Sequence, residues 1–136
     1  MSLMSTTPDT AAAVQALLAL PLLVIGLSHL FQPKLWTDFF SQLHGLGTTG
    51  VVIRTFALEF VPAFAILAFH WVWSGPEVLL TIYGVLLASK ITMSLLVPSV
   101  GLHSLSMANR KGEAPLRAAG VALLALSAVC FWALLR

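Results

Sequence analysis

VVIRTFALEFVPAFAILAFHWVW, residues 51–73, is the stretch on which the fold turns. Its apolar residues run on without the period-two alternation of a barrel strand. At about 1.5 Å of rise per residue it is long enough to cross roughly 30 Å of hydrocarbon as one helix. Yet it carries Arg54, Glu59, Pro62 and His70. A soluble helix would turn such charges to water and a simple anchor would omit them. Charges kept inside the run point to the interior of a helical membrane bundle.

The flanking sequence has the same character. Of the 136 residues, 59% are hydrophobic and 9% charged, and mean hydropathy is +0.97, whereas a soluble domain carries about a quarter charged residues. Three further windows are long and apolar enough to span: Ala11 to Phe31, Val78 to Val97 and Leu116 to Leu135. The expected fold is all-α, a polytopic membrane protein built as one domain over residues 1–136, an antiparallel bundle of four transmembrane helices. Asp9 and Thr10 are candidate caps of the first span, Thr48, Thr49 and Gly50 open the second, and Pro76 with Glu77 starts the third. The N-terminal MSLMSTTPDTAAAVQ lacks a basic n-region, so the first span is expected to remain as a helix rather than leave as a signal peptide.

The connections carry information of their own. Ser74-Gly75-Pro76-Glu77 is so short that the second and third spans form a tight antiparallel hairpin. In PKLWTDFFSQLHGLGTTG, helical spacing puts Leu35, Trp36, Phe39, Phe40 and Leu43 on one face and Thr37, Asp38, Ser41 and Gln42 on another. That pattern fits a short interfacial helix after the first span, and equally a surface loop anchored by its Trp. Beyond Pro98 the helical spacing continues to a stop at Asn109-Arg110-Lys111-Gly112, so the third helix is expected to extend, kinked, to about residue 109. Lys34, Arg110 and Lys111 lie in the first and third connections. By the positive-inside rule those face the cytoplasm and both termini lie outside, in a cell membrane such as an inner membrane.

Depth arithmetic places the polar residues. Glu59 lies about eight residues, roughly 12 Å, into the second span, and Lys90 about seven residues, roughly 10 Å, from the same end of the third. Opposite charges at one level of a hairpin are natural partners, since each alone costs about 2.5–3.5 kcal/mol near the bilayer centre. Thr55, Glu59, Pro62, Ile66 and His70 recur at helical spacing, as do Tyr83, Leu87, Lys90 and Ser94 on the third helix. Ser28 and His29 come from the end of the first helix, and Arg54 and His103 lie near the same membrane face. The candidate ligand-binding set is therefore His29, Arg54, Glu59, Lys90, Ser94 and His103, around a pocket open to the cytoplasm.

Plainer readings stand beside these. Arg54 is close enough to the interface to snorkel, and His29 can simply cap its helix C-terminus. His70, beside Trp71 and Trp73, reads as an outer-interface residue. Ala118, Gly120, Ala122 and Ala125 mark the fourth span as a packing helix, with Ser127 and Cys130 its polar groups. The net charge of +2 includes no basic run longer than Arg110-Lys111, which leaves no footprint for nucleic acid. A single cysteine excludes an internal disulfide and multi-cysteine metal sites. No HExxH, GxSxG, phosphate-loop or paired-histidine motif occurs, so no metal site is expected and neither a cofactor nor catalytic residues can be assigned.

Gly26-Leu27-Ser28-His29-Leu30-Phe31-Gln32-Pro33 resembles the end of the first helix in DoxX-like small membrane proteins, where G-x-x-H-x-x-x-P precedes an interfacial segment. Glu59 in FALEFVPA, the four-span plan and the length add to the similarity. The resemblance implies a four-helix bundle from a group some of whose members are associated with quinone-linked sulfur oxidation or other redox partners. The interfacial segment here is less proline-rich than that pattern. Three functions are compatible with the residues. One is a pocket binding an amphipathic small molecule, a quinone or isoprenoid-like lipid, in an accessory subunit of a membrane redox system. The second is an oligomeric proton-coupled transporter or ion channel using Glu59 and Lys90. The third is a small membrane enzyme with Glu59 or His29 as acid or base. The partners these imply are the lipid bilayer, a hydrophobic ligand, and either further copies of the chain or another membrane subunit.

Overall fold

The structure, a computed structural model, describes residues 7–136, the side chains of residues 108 and 109 excepted. The reading of the N-terminal tail concerns residues that lie partly outside this range. Seven α-helices and one π-helical turn make up the described chain. Four helical segments are long and apolar enough to cross a membrane: Pro8–Phe31, Thr48–Phe69, Val78–Leu96 and Ala114–Leu135.

The first of these is α1 (Pro8–Phe31). It starts one turn earlier than expected because Thr7, not Asp9 or Thr10, is the N-cap. Thr7 forms a reciprocal capping box with Thr10, and Pro8 occupies the first helical position, where its missing N–H costs nothing. Helix α2 (Pro33–Gly45) follows at once. The ambiguity between interfacial helix and loop resolves to a helix. Leu43 is buried with Val51 and Leu105, and Phe39 and Phe40 pack beside them, while Leu35 stays exposed. On its outer side the Asp38 carboxylate lies 2.7 Å from Lys34 Nζ. That hydrogen bond, above all, holds the Lys34 ammonium above its ordinary pKa range.

The second span is not one uniform helix. It runs as α3 (Thr48–Arg54), a π-helical turn over Thr55–Glu59, and α4 (Phe60–Phe69). Within the turn the Phe60 N–H reaches back to the Thr55 carbonyl, five residues away. Pro62, just beyond, has no N–H for the Leu58 carbonyl and its ring would crowd it, so a widened turn on its N-terminal side relieves the conflict. The span ends at Phe69 rather than at Trp73, because His70 leaves the helix at φ −128°, ψ 59°.

Helices α5 (Val78–Leu96) and α6 (Pro98–Lys111) are separate rather than one kinked rod. Val97 is extended at φ −128°, ψ 86°, as the residue before a proline prefers. Helix α6 then folds across the end of the bundle against α2 and α3. Helix α7 (Ala114–Leu135) returns alongside α1 in the most extensive helix pair of the molecule. Their approach is close because a Cβ on Gly120 would sit 2.8 Å from the Gly26 carbonyl oxygen and 2.9 Å from the His29 Cβ. Small residues permit this in lipid, where packing and not water expulsion joins helices.

Farther along the same seam, Ser127 Oγ donates to the Ala19 carbonyl at 2.8 Å. Both groups are buried, but the alternatives in the membrane-inserted unfolded chain are also hydrogen-bonded, so the net contribution is small. Ser127→Ala is expected to lower stability by about 0.6–1.5 kcal/mol in a reversible unfolding titration in mixed micelles. Around this contact the core gathers Leu18, Ala19, Leu22, Ile66, Leu80, Leu126 and Cys130.

Candidate functional site

The π-helical turn determines how the charges of the second span are arranged. In an α-helix, residues five apart point about 140° away from one another. In a turn closed by i→i+5 bonds they return to nearly the same side. Arg54 and Glu59 flank this turn, and Arg54 Nε lies 3.0 Å from Glu59 Oε1. The hairpin brings the third charge: Lys90 Nζ is 2.6 Å from Glu59 Oε2. One carboxylate thus stands between two cations, with a different oxygen toward each.

Burial separates the members of this triad. Arg54 is 3% and Glu59 7% exposed, whereas the Lys90 side chain is 41% exposed and lines open space. Arg54 does not snorkel. Its Nη1 donates to Ser104 Oγ at 3.1 Å and its Nη2 to Ser94 Oγ at 3.4 Å, which ties α3 to α5 and α6. The angle between Arg54 Nε and Glu59 Oε1 makes a charge contact and not a hydrogen bond. Those two atoms and Thr55 Oγ1 are the buried side-chain polar atoms, among the described residues, that lack a hydrogen-bond partner.

His29 reaches the same place from α1. Its Nδ1 lies 2.9 Å from the Ile25 carbonyl, which can only accept, so Nδ1 carries a hydrogen and Nε2 of the neutral ring offers a lone pair. The ring stacks on Trp36 of α2 at 4.2 Å between centroids, and Trp36 Nε1 donates to Ser28 Oγ at 2.8 Å. Two chambers meet at these residues. A mainly apolar one of about 400 Å³ extends between α1, α4, α5 and α7 past Leu17, Pro21, Leu22, Leu58, Leu87 and Leu123. A second, of about 330 Å³, lies under the α6–α7 turn beside Met107, Gly112 and Pro115. Both are walled by His29, Phe40, Arg54 and Lys90.

Of the six residues singled out in the sequence, five therefore converge: His29, Arg54, Glu59 and Lys90 line the chambers, and Ser94 holds Arg54 from behind. His103 does not join them. It is exposed on α6, with Nε2 3.3 Å from Arg110 Nη2. The next residue, Ser104, faces inward instead. The packing of Leu105 and Leu102 against Leu43 and Val51 sets the rotation of α6, and one residue along a helix turns the side chain by about 100°. Tyr83, from the same stripe as Lys90, also lines the larger chamber, as do Trp36 and Phe40, which carry no charge by which sequence alone would have chosen them.

His70 is placed differently from the outer-interface reading. It is fully buried, 3.0 Å from Gln15 Nε2 through its own Nε2 and 3.3 Å from Thr81 Oγ1 through Nδ1. Thr81 Oγ1 lies 2.7 Å from the Val72 carbonyl and 3.0 Å from that of His70. It therefore serves backbone groups that the early helix end leaves without helical partners, which an apolar surrounding makes obligatory. Nearby, the buried Glu77 pairs with Arg136 at the C-terminus. This network belongs to the opposite end of the bundle and secures the hairpin. No group of three or more metal-ligating side chains occurs among the described residues.

Fold and site together define an integral membrane protein: four spanning helices around an internal charged cluster from which an apolar chamber extends. Set against family models, curated proteins and solved structures, the chain finds no match.

Proposed function

We propose that this protein binds an amphipathic small molecule, its polar head at Arg54, Glu59, Lys90 and His29 and its tail in the apolar chamber. The observation that carries this reading is the continuity of the two environments. The same 400 Å³ space that is lined by Leu17, Leu22, Leu58 and Leu123 is bounded by Lys90, Glu59 and His29. Concave apolar sites with a few convergent polar groups are the usual form of a small-molecule site. The resemblance to DoxX-like proteins supports a quinone or isoprenoid-like lipid as the bound class and a place beside a membrane redox system. The cytoplasmic orientation of the α2 and α6 end belongs to the same proposal and rests on Lys34, Arg110 and Lys111.

Leu58 lines the chamber without being fully buried, so Leu58→Trp is the sharpest test. In native mass spectrometry after mild extraction, the unaltered protein is expected to retain a stoichiometric lipid or quinone. The variant, with the chamber filled, is expected to hold it at least about tenfold more weakly while its thermal unfolding stays near that of the parent. An empty chamber in the unaltered protein, or undiminished retention in Leu58→Trp, overturns the proposal.

A further inference from the structure

The charges around the two chambers do not balance. Arg54 and Lys90 contribute two positive charges and Glu59 one negative. Among the described residues no other carboxylate lines either chamber. Both Glu59 oxygens already face a cation, Oε1 toward Arg54 and Oε2 toward Lys90. One positive charge therefore remains uncompensated in a region where water is scarce and charge is expensive. Arg54 is enclosed by Ser94 and Ser104 and its unpartnered Nε is buried, so the donors that an occupant can reach are those of Lys90, whose exposed side chain borders both chambers.

We infer that the occupant is an acidic amphiphile whose head, of the phosphate monoester kind and held in its singly ionised form, binds Lys90. The inference rests on the amphiphile reading above and narrows it from neutral quinones to anions. Two features favour such a head. In its neutral form His29, with Nδ1 turned to the Ile25 carbonyl, presents an Nε2 lone pair at the chamber wall, which can accept a hydrogen bond from the hydroxyl that a singly ionised phosphate monoester retains. The smaller chamber extends under the α6–α7 turn, where Arg110 and Lys111 are exposed. An anion approaching that end meets positive charge outside the chamber as well as within it.

The test uses the full chain in nanodiscs of neutral phosphatidylcholine, titrated calorimetrically with dodecyl phosphate, dodecanol and inorganic phosphate. Dodecyl phosphate is expected to bind at least about tenfold more tightly than dodecanol, and inorganic phosphate far more weakly than either. In Lys90→Gln the preference for dodecyl phosphate over dodecanol should fall below about threefold, and Lys90→Arg should restore it. Equal affinities for dodecyl phosphate and dodecanol overturn the anionic head while leaving the amphiphile reading in place. So does a preference that survives in a folded Lys90→Gln. Inorganic phosphate bound as tightly as dodecyl phosphate indicates a free-anion site and overturns the lipid assignment. If neither dodecyl ligand binds, the amphiphile reading itself falls and the inference with it.

Discussion

Glu59→Leu is expected to destabilise the protein by about 3–5 kcal/mol, the cost of leaving a buried charge without its counterion. The charge stranded is that of Arg54, which is 3% exposed and whose Nε lies 3.0 Å from the Glu59 carboxylate. Lys90 contributes less to the loss, since its side chain already borders open space. The double variant Arg54→Met, Glu59→Leu separates the loss of a pair from the isolation of a charge. Replacing both partners by apolar groups removes the desolvation problem along with the attraction, so it should recover most of the stability lost in the single variant. Reversible unfolding in mixed micelles measures both. A single variant within about 1 kcal/mol of the parent would show that Arg54 is not held by Glu59.

Gly50→Ala should have an effect of comparable size for a steric reason. A Cβ there would overlap the Leu43 carbonyl, a backbone group of α2 that no rotamer change can move aside. Only a displacement of α2 relieves the overlap, at an expected cost of about 3 kcal/mol. Since α2 supplies Trp36 and Phe40 to the wall of the larger chamber, ligand retention should fall with stability. Gly45→Ala is the control, because nothing lies within 4 Å of the added methyl group, and it should stay within about 0.5 kcal/mol of the parent. Similar thermal midpoints for the two variants would remove the close approach from the account.

Much of the architecture was legible because lipid leaves the backbone few choices. Four apolar windows in the sequence correspond to the four spanning helices, with ends displaced by a few residues. The meeting of Glu59 and Lys90 followed from helical rise and the brevity of the Ser74–Glu77 connection, both local quantities. Arg54 was less legible. Uniform α-helical spacing turns it away from Glu59, and only Pro62 hinted that the winding changes between them. His70 misled through its neighbours, since Trp71 and Trp73 look like interface anchors. What draws the imidazole inward is a pairing with Gln15 of α1 and Thr81 of α5, both distant in the chain.

The choice of Ser104 over His103 shows the same limit in its simplest form. After the break at Val97 the rotation of α6 is no longer inherited from α5, and contacts with α2 and α3 set it instead.

From its residues alone the chain is bound to be a helical membrane protein with a charged hairpin. Unpaired peptide groups and lone charges are too costly in hydrocarbon for another arrangement. Which side chains share the cavity was decided by tertiary structure, by a π-helical turn and the rotation of a crossing helix, and an early helix end did the same for the buried His70 at the other end of the bundle. Each depends on packing partners far away in sequence, whose contacts carry no local periodic signal.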